Sequence, residues 1–273
     1  MGIKMKRNLG LSGKILIGLI YAIPIWIAIV FSFHPNSDFT KLPLTIWTDN
    51  LTLENFQYVL ENVPVFSYLK NSFIMIIICI PCQLILSSMA AYAFSLLEFP
   101  MKNTLFAIFL TTMMIPGEVT FVANFLTVQS LGLINTYLGM CITSLCGAGS
   151  IFMLRQNMMS MPKELWEASR IDGCSKFGYF VRVALPLSSS ILSAMAINSF
   201  IGIYNAYLWP LMVTTRNEFH TIQIGMANLT ASTANRYGYV LAGAALCMLI
   251  PMIAFLFGQD KIVEGMTAGA VKS

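Results

Sequence analysis

The chain has 273 residues, of which 57% are hydrophobic and only 10% are charged, with a net charge of +4. Soluble domains carry about 25% charged residues, and a soluble fold of this size could not bury so much apolar side chain. The composition therefore excludes an ordinary soluble enzyme or binding domain and favours a protein whose main solvent is lipid.

Six apolar stretches are predicted to be transmembrane helices, which gives an all-α integral membrane protein. A helix needs about 20 mostly apolar residues to cross a bilayer, and five stretches meet that length. The sixth is shorter and rich in Gly and Ser, but it carries no charge. The predicted spans are Ile15–Phe33, Phe73–Leu97, Leu105–Val128, Tyr137–Leu154, Ser188–Val213 and Tyr239–Phe257.

The first span is predicted to be a retained membrane anchor. Basic residues precede it, as they precede a secretory signal, but its apolar stretch is too long for a signal peptide and no small-residue cleavage site follows Phe33. If the N-terminus is cytoplasmic, twelve of the 16 Lys and Arg residues fall in cytoplasmic segments. The positive-inside rule then predicts that both termini are cytoplasmic. Because these Lys and Arg residues are spread along one membrane face, they argue against a nucleic-acid-binding patch.

Cysteine, histidine and glycine placement gives no sign of a metal, redox or nucleotide site. Cys79 and Cys82 have redox spacing but lie within an apolar run, so we interpret them as packing residues. His34 and His220 are isolated. A nucleotide-binding P-loop needs an upstream glycine and a Ser or Thr after its lysine, and Gly13-Lys14 has neither. We predict no catalytic residue, no metal and no cofactor on this chain.

The cytoplasmic segment 160–187, between the fourth and fifth spans, begins with a short predicted helix. Pro162 suits a first helical turn, and Glu164 lies near the positive N-terminal end of the helix dipole. Gly173 permits the left-handed backbone that ends many helices. One face carries small side chains that could enter a cleft. By helical spacing this face consists of Leu165, Ala168, Ser169 and Asp172.

The spacing of this segment resembles the EAA loop of ABC importer permeases. Glu167-Ala168-Ser169 is followed after three residues by Gly173, and then by Val183 and Leu185-Pro186. Ser169 stands where that family usually has a second alanine, and Val183 where isoleucine is usual. Other segments resemble the carbohydrate branch, in particular the smaller six-span permease of maltose-type and glycerol-3-phosphate-type importers. These segments are Asn71-Ser72, Ala90–Phe94, Phe99-Pro100, Tyr204–Leu211 and Gly265–Lys272.

The resemblance implies a type I ABC importer permease fold in a single domain 1–273. Within it, 15–33 would be the anchor span, about 67–258 the core permease and 160–187 the coupling loop. In that family the loop carries the coupling helix, which docks into a cytoplasmic ATPase. The residues expected to couple to the ATPase are Glu164, Leu165, Glu167, Ala168, Ser169, Asp172 and Gly173.

The resemblance also implies partners and a location. The expected partners are a second homologous permease, two copies of an ATPase that holds ATP and Mg, an extracytoplasmic solute-binding protein, and membrane lipid. The expected location is the prokaryotic cytoplasmic (inner) membrane. The chain would then be half of the translocation pathway for an oligosaccharide or related polyol, without chemistry of its own.

Polar residues within the spans are candidates for the substrate pathway. They are Glu118, Asn198, Tyr204 and Asn205. Pro116-Gly117 can open the helix beside Glu118. Each candidate also has an ordinary explanation: Glu118 could sit in water at the outer interface, and the others could bond between helices or form an aromatic belt. The sequence leaves open whether this chain or its partner contacts the solute.

Three alternatives remain at this point. Glycerol 3-phosphate or a glycerophosphodiester could replace the sugar, although the spans lack the cationic groups that a phosphate favours. An ion-coupled secondary transporter would be expected to show paired intramembrane charges, whereas Glu118 stands alone. A membrane scaffold would have no use for a coupling loop.

Overall fold

The computed structural model describes residues 2–41, 46–233 and 236–268, and this part of the chain contains helices and no strands. The first half comprises α1 (Gly2–Ser32), α2 (Glu54–Asn62), α3 (Val65–Leu96), α4 (Lys102–Thr111), α5 (Gly117–Ser130), α6 (Tyr137–Cys141) and α7 (Ala148–Met159). The second half comprises α8 (Lys163–Ile171), α9 (Lys176–Tyr179), α10 (Leu185–Leu187), α11 (Ser189–Tyr204), α12 (Leu208–Val213), α13 (Ile222–Ser232) and α14 (Tyr237–Ala268). Short 3-10 helices lie at Asn36–Thr40, Thr112–Met114, Ile142–Ser144 and Asn217–Phe219, and a π-helix at Phe180–Ala184.

The predicted third and fourth spans are broken by bends, and the predicted fifth span begins at a bend and is interrupted again after Tyr204. Among the described residues, α3 is long and apolar enough to cross a membrane, and three bent helix pairs would raise the number to four. The first pair, Lys102–Met114 with Gly117–Ser130, bends by 101°. The other two are Tyr137–Ser144 with Ala148–Met159, bent by 47°, and Lys176–Leu187 with Ser189–Tyr204, bent by 72°. The count of six spans stays a prediction.

The sharpest break occurs where the sequence allows one. Ile115 is extended (φ −86°, ψ 116°), as expected for a residue before proline, and α5 begins directly after Pro116. The second break has no proline, and there Gly147 adopts an extended backbone (φ −140°, ψ 136°). The predicted opening at Pro116-Gly117 is confirmed. The sequence analysis did not predict the break within the fourth span.

The described residues divide into two compact units. The first lies within Met1–Phe66 and Gly225–Met252, and the second within Ser67–Ile224 and Ile253–Ser273. In the first unit the buried Asn55 of α2 donates from Nδ2 to the carbonyls of Ser32 (2.8 Å) and His34 (2.7 Å), and its Oδ1 accepts from Asn36. This amide fixes the end of α1 against α2. The prediction of one domain over 1–273 stays a prediction.

Two hydrophobic clusters are found among the described residues of the second unit. One joins α3, α4, α7 and α9 through Tyr92, Phe106, Leu154 and Tyr179 among others. The other joins α3, α5, α6 and α12 around a second set, which includes Met75, Cys79, Val128, Met140 and Trp209. All six cysteines are free thiols, and Cys79 and Cys141 are buried, in line with the packing role that the sequence predicts.

Candidate functional site

Helix α8 forms the start of segment 160–187, and its two ends match the sequence signals. It begins directly after Pro162 and runs to Ile171. At its end Gly173 has φ +72°, its N–H donates to Arg170 O (3.1 Å), and the next N–H, of Cys174, donates to Ser169 O (2.9 Å). This pair of bonds is a Schellman motif, which satisfies carbonyls that a helix end leaves unpaired. The predicted glycine stop is confirmed.

Helix α8 has an exposed face and a face that packs against the rest of the second unit. No α8 residue is buried, and Glu164, Glu167, Ala168 and Leu165 are exposed, as is Asp172 directly after the helix. Ser169 differs from the rest of the predicted stripe. It is half-buried, and its hydroxyl donates to the Trp166 carbonyl (2.7 Å). The predicted face is therefore largely free to meet another molecule, with Ser169 at its inner edge.

Trp166 attaches α8 to the rest of the unit. Its half-buried ring meets the ring of Tyr179 edge-on, with centroids 4.8 Å apart and planes at 84°. Tyr179 is 1% exposed. The Tyr92 hydroxyl of α3 donates to Lys176 O (2.7 Å), and its ring lies 5.0 Å from that of Phe180. A run of aromatic contacts thus links the exposed helix to the long helix α3.

The basic residues at the same end of α3 are engaged with the protein. Lys102 donates from Nζ to Ser95 O (2.9 Å) and Leu97 O (2.8 Å), at the C-terminal end of α3. Arg155 donates from Nε to Phe94 O (3.0 Å) and lies 4.1 Å above the centre of a phenylalanine ring in α4. Cations are favourable at the negative end of a helix dipole. These two charges stabilise the helix end.

A cavity of about 510 Å³ lies elsewhere in the second unit. Small-molecule sites typically measure about 300–1,000 Å³. Residues beside the breaks at Pro116-Gly117 and at Gly147 line this cavity, together with the end of α11. The described part of the lining contains no charged side chain. The lining residues are Met75, Gln83, Gly117, Thr120, Phe121, Asn124, Thr143, Ser144, Cys146, Gly147, Asn198, Ser199, Gly202, Ile203, Ala206 and Trp209.

Amides, hydroxyls and two aromatic rings give this cavity its chemistry. The Ser199 hydroxyl donates to Gln83 Oε1, which joins α11 to α3 across 116 residues of sequence. The amide of Asn124 donates to a threonine hydroxyl one turn away (3.5 Å). The rings of Phe121 and Trp209 are 6.1 Å apart. The cavity therefore offers uncharged hydrogen-bonding groups beside an apolar wall.

The structure places the four predicted pathway residues in different surroundings. Asn198 lines the cavity. Glu118 is exposed in the first turn of α5 and does not line it. Tyr204 is buried with its ring stacked near Phe200, and Asn205 is exposed and accepts a bond from a glutamine of α13. A pathway role for each stays a prediction.

Apart from Asn198, sequence reasoning missed the polar residues that line the cavity. Gln83 is the only amide side chain in the apolar stretch Phe73–Leu97, so the sequence alone could have indicated it as a candidate. Asn124, Thr120 and Ser199 carry weaker signals, because Ser and Thr are common in membrane helices and often bond to their own backbone.

Comparison with known proteins identifies the chain. The family model for "Binding-protein-dependent transport system inner membrane component" matches residues 1–266. The arabinooligosaccharides transport system permease protein AraQ of Halalkalibacterium halodurans is 34% identical over 263 residues, which cover 95% of this chain and 94% of AraQ. The sn-glycerol-3-phosphate transport system permease protein UgpE of Brucella melitensis is 29% identical over 257 residues, with 91% of each chain covered.

A solved structure shares the fold. The crystal structure of a bacterial ABC transporter that imports the acidic polysaccharide alginate superposes with a TM-score of 0.82 at 19% identity, covering 93% of this chain and 96% of that chain. The fold is thus that of a helical ABC importer permease. The chain belongs to the family of binding-protein-dependent transport system inner membrane components. The resemblance to ABC importer permeases found in the sequence is confirmed.

Proposed function

We propose that this chain is one of two permease subunits of an ATP-driven carbohydrate importer, and that α8 is the helix through which a separate ATPase drives it. The observation that carries this proposal is that α8 is exposed and yet attached to the buried part of the second unit. It is an exposed nine-residue helix, and Trp166 joins it to the buried Tyr179. Isolated helices of this length are marginal in water, so packing must hold α8 in place.

The exposed face of α8 is suited to a protein groove. Glu164, Leu165, Glu167 and Ala168 would contact the ATPase, together with Asp172, while Ser169 and Gly173 fix the shape of the helix. A small residue such as Ala168 allows close approach between two backbones. The carboxylate of Glu167 would pair with a cation or a backbone N–H of the ATPase, which gives specificity to the contact.

The assembly that we propose has six spans in this subunit and both termini in the cytoplasm. A second permease would complete the pathway, and two ATPase copies would hold ATP and Mg. An extracytoplasmic binding protein would deliver the solute, in keeping with the family's description as binding-protein-dependent. The subunit would work in a prokaryotic inner membrane and would break no bonds itself.

The proposed cargo is a neutral oligosaccharide or related polyol. The similarity to AraQ, over nearly the full length of both chains, supports this class. Glycerol 3-phosphate is the second candidate, because UgpE is 29% identical. The cavity lining favours the neutral sugar, since its described residues offer no cation to replace the water that a phosphate loses on entry.

Transport by the reconstituted complex tests this proposal. The chain, its partner permease and their ATPase would be placed in liposomes with the binding protein, and uptake of labelled arabinotriose, maltotriose and sn-glycerol 3-phosphate would be measured. We expect sugar uptake that requires both ATP and the ATPase. Uptake driven by an ion gradient without ATP would contradict the proposal, and ATP-driven uptake of glycerol 3-phosphate alone would contradict its choice of cargo.

A further inference from the structure

We infer that the cavity of the second unit is a solute-selectivity site carried by this subunit itself, with Gln83 as its central hydrogen-bonding group. Ser199 orients Gln83, and Asn198 and Asn124 supply further amides around a neutral, polyhydroxylated solute. The inference rests on the proposed function, because it names the part of this chain that contacts the proposed cargo.

The backbone beside the cavity is irregular in two places. Two helix breaks contribute residues to its lining, Gly117 at the first and Cys146 with Gly147 at the second, and Ala206 follows the end of α11. Irregular backbone within a membrane is tolerated where it is buried in protein or lines a water-filled cavity. Discontinuous helices also form the binding sites of many transporters. Such breaks around one uncharged cavity mark it as a place that solute occupies.

The hydrogen bonding of Gln83 leaves its donor end available. Its Oε1 accepts from the Ser199 hydroxyl. This bond fixes the amide and does not use either hydrogen of Nε2. Nε2 has no hydrogen-bond partner among the residues that the structure describes. A Cβ added at Gly147 would lie 4.0 Å from Nε2, so glycine leaves this nitrogen uncovered. A sugar hydroxyl can accept from such a donor.

The lining defines the class of solute. Among the described residues it contains no Lys, Arg, His, Asp or Glu, and the cations Lys102 and Arg155 are engaged at the end of α3. A phosphate dianion would lose its water without gaining a counter-charge. A sugar presents hydroxyls to amides, and its apolar ring faces can pack on Phe121 and Trp209, which lie side by side in the wall.

Replacing Gln83 with methionine tests the inference, because methionine keeps the length of the side chain and removes both hydrogen-bonding ends. The complete complex would be assayed for sugar uptake and for ATP hydrolysis at saturating binding protein and solute. We expect about 10-fold less sugar imported per ATP hydrolysed, since methionine leaves a sugar hydroxyl without the donor that Gln83 supplies. Ser199→Ala should lower the same ratio by about 2- to 3-fold, because Gln83 keeps its donors but loses its orientation.

The matched control is Gln129→Met, at an exposed glutamine of α5 outside the cavity lining. It should leave the ratio of sugar to ATP unchanged. A wild-type ratio in Gln83→Met overturns the inference and leaves the proposed function standing. Equal losses of ATP hydrolysis and import, with the ratio unchanged, also overturn it, because Gln83 would then act on folding or assembly. Failure of the wild-type complex to import any neutral sugar contradicts the proposed function instead.

Discussion

Trp166 should determine how well ATP hydrolysis is coupled to import. It is the α8 side chain whose ring meets the buried Tyr179, 4.8 Å away and edge-on. Truncation of a fully buried tryptophan to alanine costs about 3–5 kcal/mol, and an aromatic pair contributes about 0.5–1.5 kcal/mol of its own. Because Trp166 is only half-buried, we expect Trp166→Ala to weaken the attachment of α8 by about 2 kcal/mol.

This free energy corresponds to about a 30-fold increase in the ratio of detached to attached α8. The effect on transport should be smaller, because binding to the ATPase helps to hold the helix in place. We expect the solute imported per ATP hydrolysed to fall by about 3- to 10-fold, with uptake and hydrolysis measured on the same proteoliposomes. Trp166→Phe keeps an aromatic ring on Tyr179 and should recover most of the loss.

Trp47→Ala is the matched control. Trp47 is 75% exposed and pairs edge-on with another tryptophan in the first unit, 6.0 Å away. This substitution removes the same atoms from a site unrelated to α8 and should leave the ratio of solute to ATP unchanged. A wild-type ratio in Trp166→Ala, or an equal loss in Trp47→Ala, would refute the reasoning.

Three other substitutions test separate parts of the account. Gly173→Ala forces a side chain into a backbone of φ +72° with open space around it, so thermal unfolding should show a cost of about 1 kcal/mol from strain alone. Glu167→Gln should leave stability unchanged but weaken binding to the ATPase by about fivefold and reduce its salt dependence. Gly238→Ala places a Cβ 2.7 Å from the Asn55 amide and should destabilise the protein by about 1–3 kcal/mol, whereas Gly18→Ala, with nothing within 4 Å, should not.

The sequence predicts the local features of α8 well. A proline before a helix, a glycine after it and an acidic residue in the first turn act within a few residues of one another. The structure shows both ends of α8 where these signals place them. The attachment of α8 could not be predicted in the same way. Trp166 and Tyr179 are 13 positions apart and are joined by a turn, and Tyr92 comes from a different helix.

In the predicted spans, too, local features can be predicted from the sequence and contacts between distant segments cannot. Pro116 is followed by a glycine, and this pair can open a helix, so a break there can be predicted. A proline alone is not a sufficient signal, because Pro24, Pro81 and Pro251 lie inside continuous helices. The extended backbone at Gly147 has no proline beside it. The cavity depends on packing between distant helices, as the bond from Ser199 to Gln83 shows. Hydropathy finds apolar stretches and gives no information on which side of a helix faces a cavity.

A site-specific photo-crosslink from α8 tests the central claim most directly. A benzophenone amino acid would replace the exposed Ala168 in the complete purified complex, which would first be shown to import solute with ATP. We predict a crosslink to the ATPase, and none from the same group placed at the exposed Gln129 of α5. An active complex in which position 168 never crosslinks to the ATPase would contradict the assignment of α8 as the coupling helix.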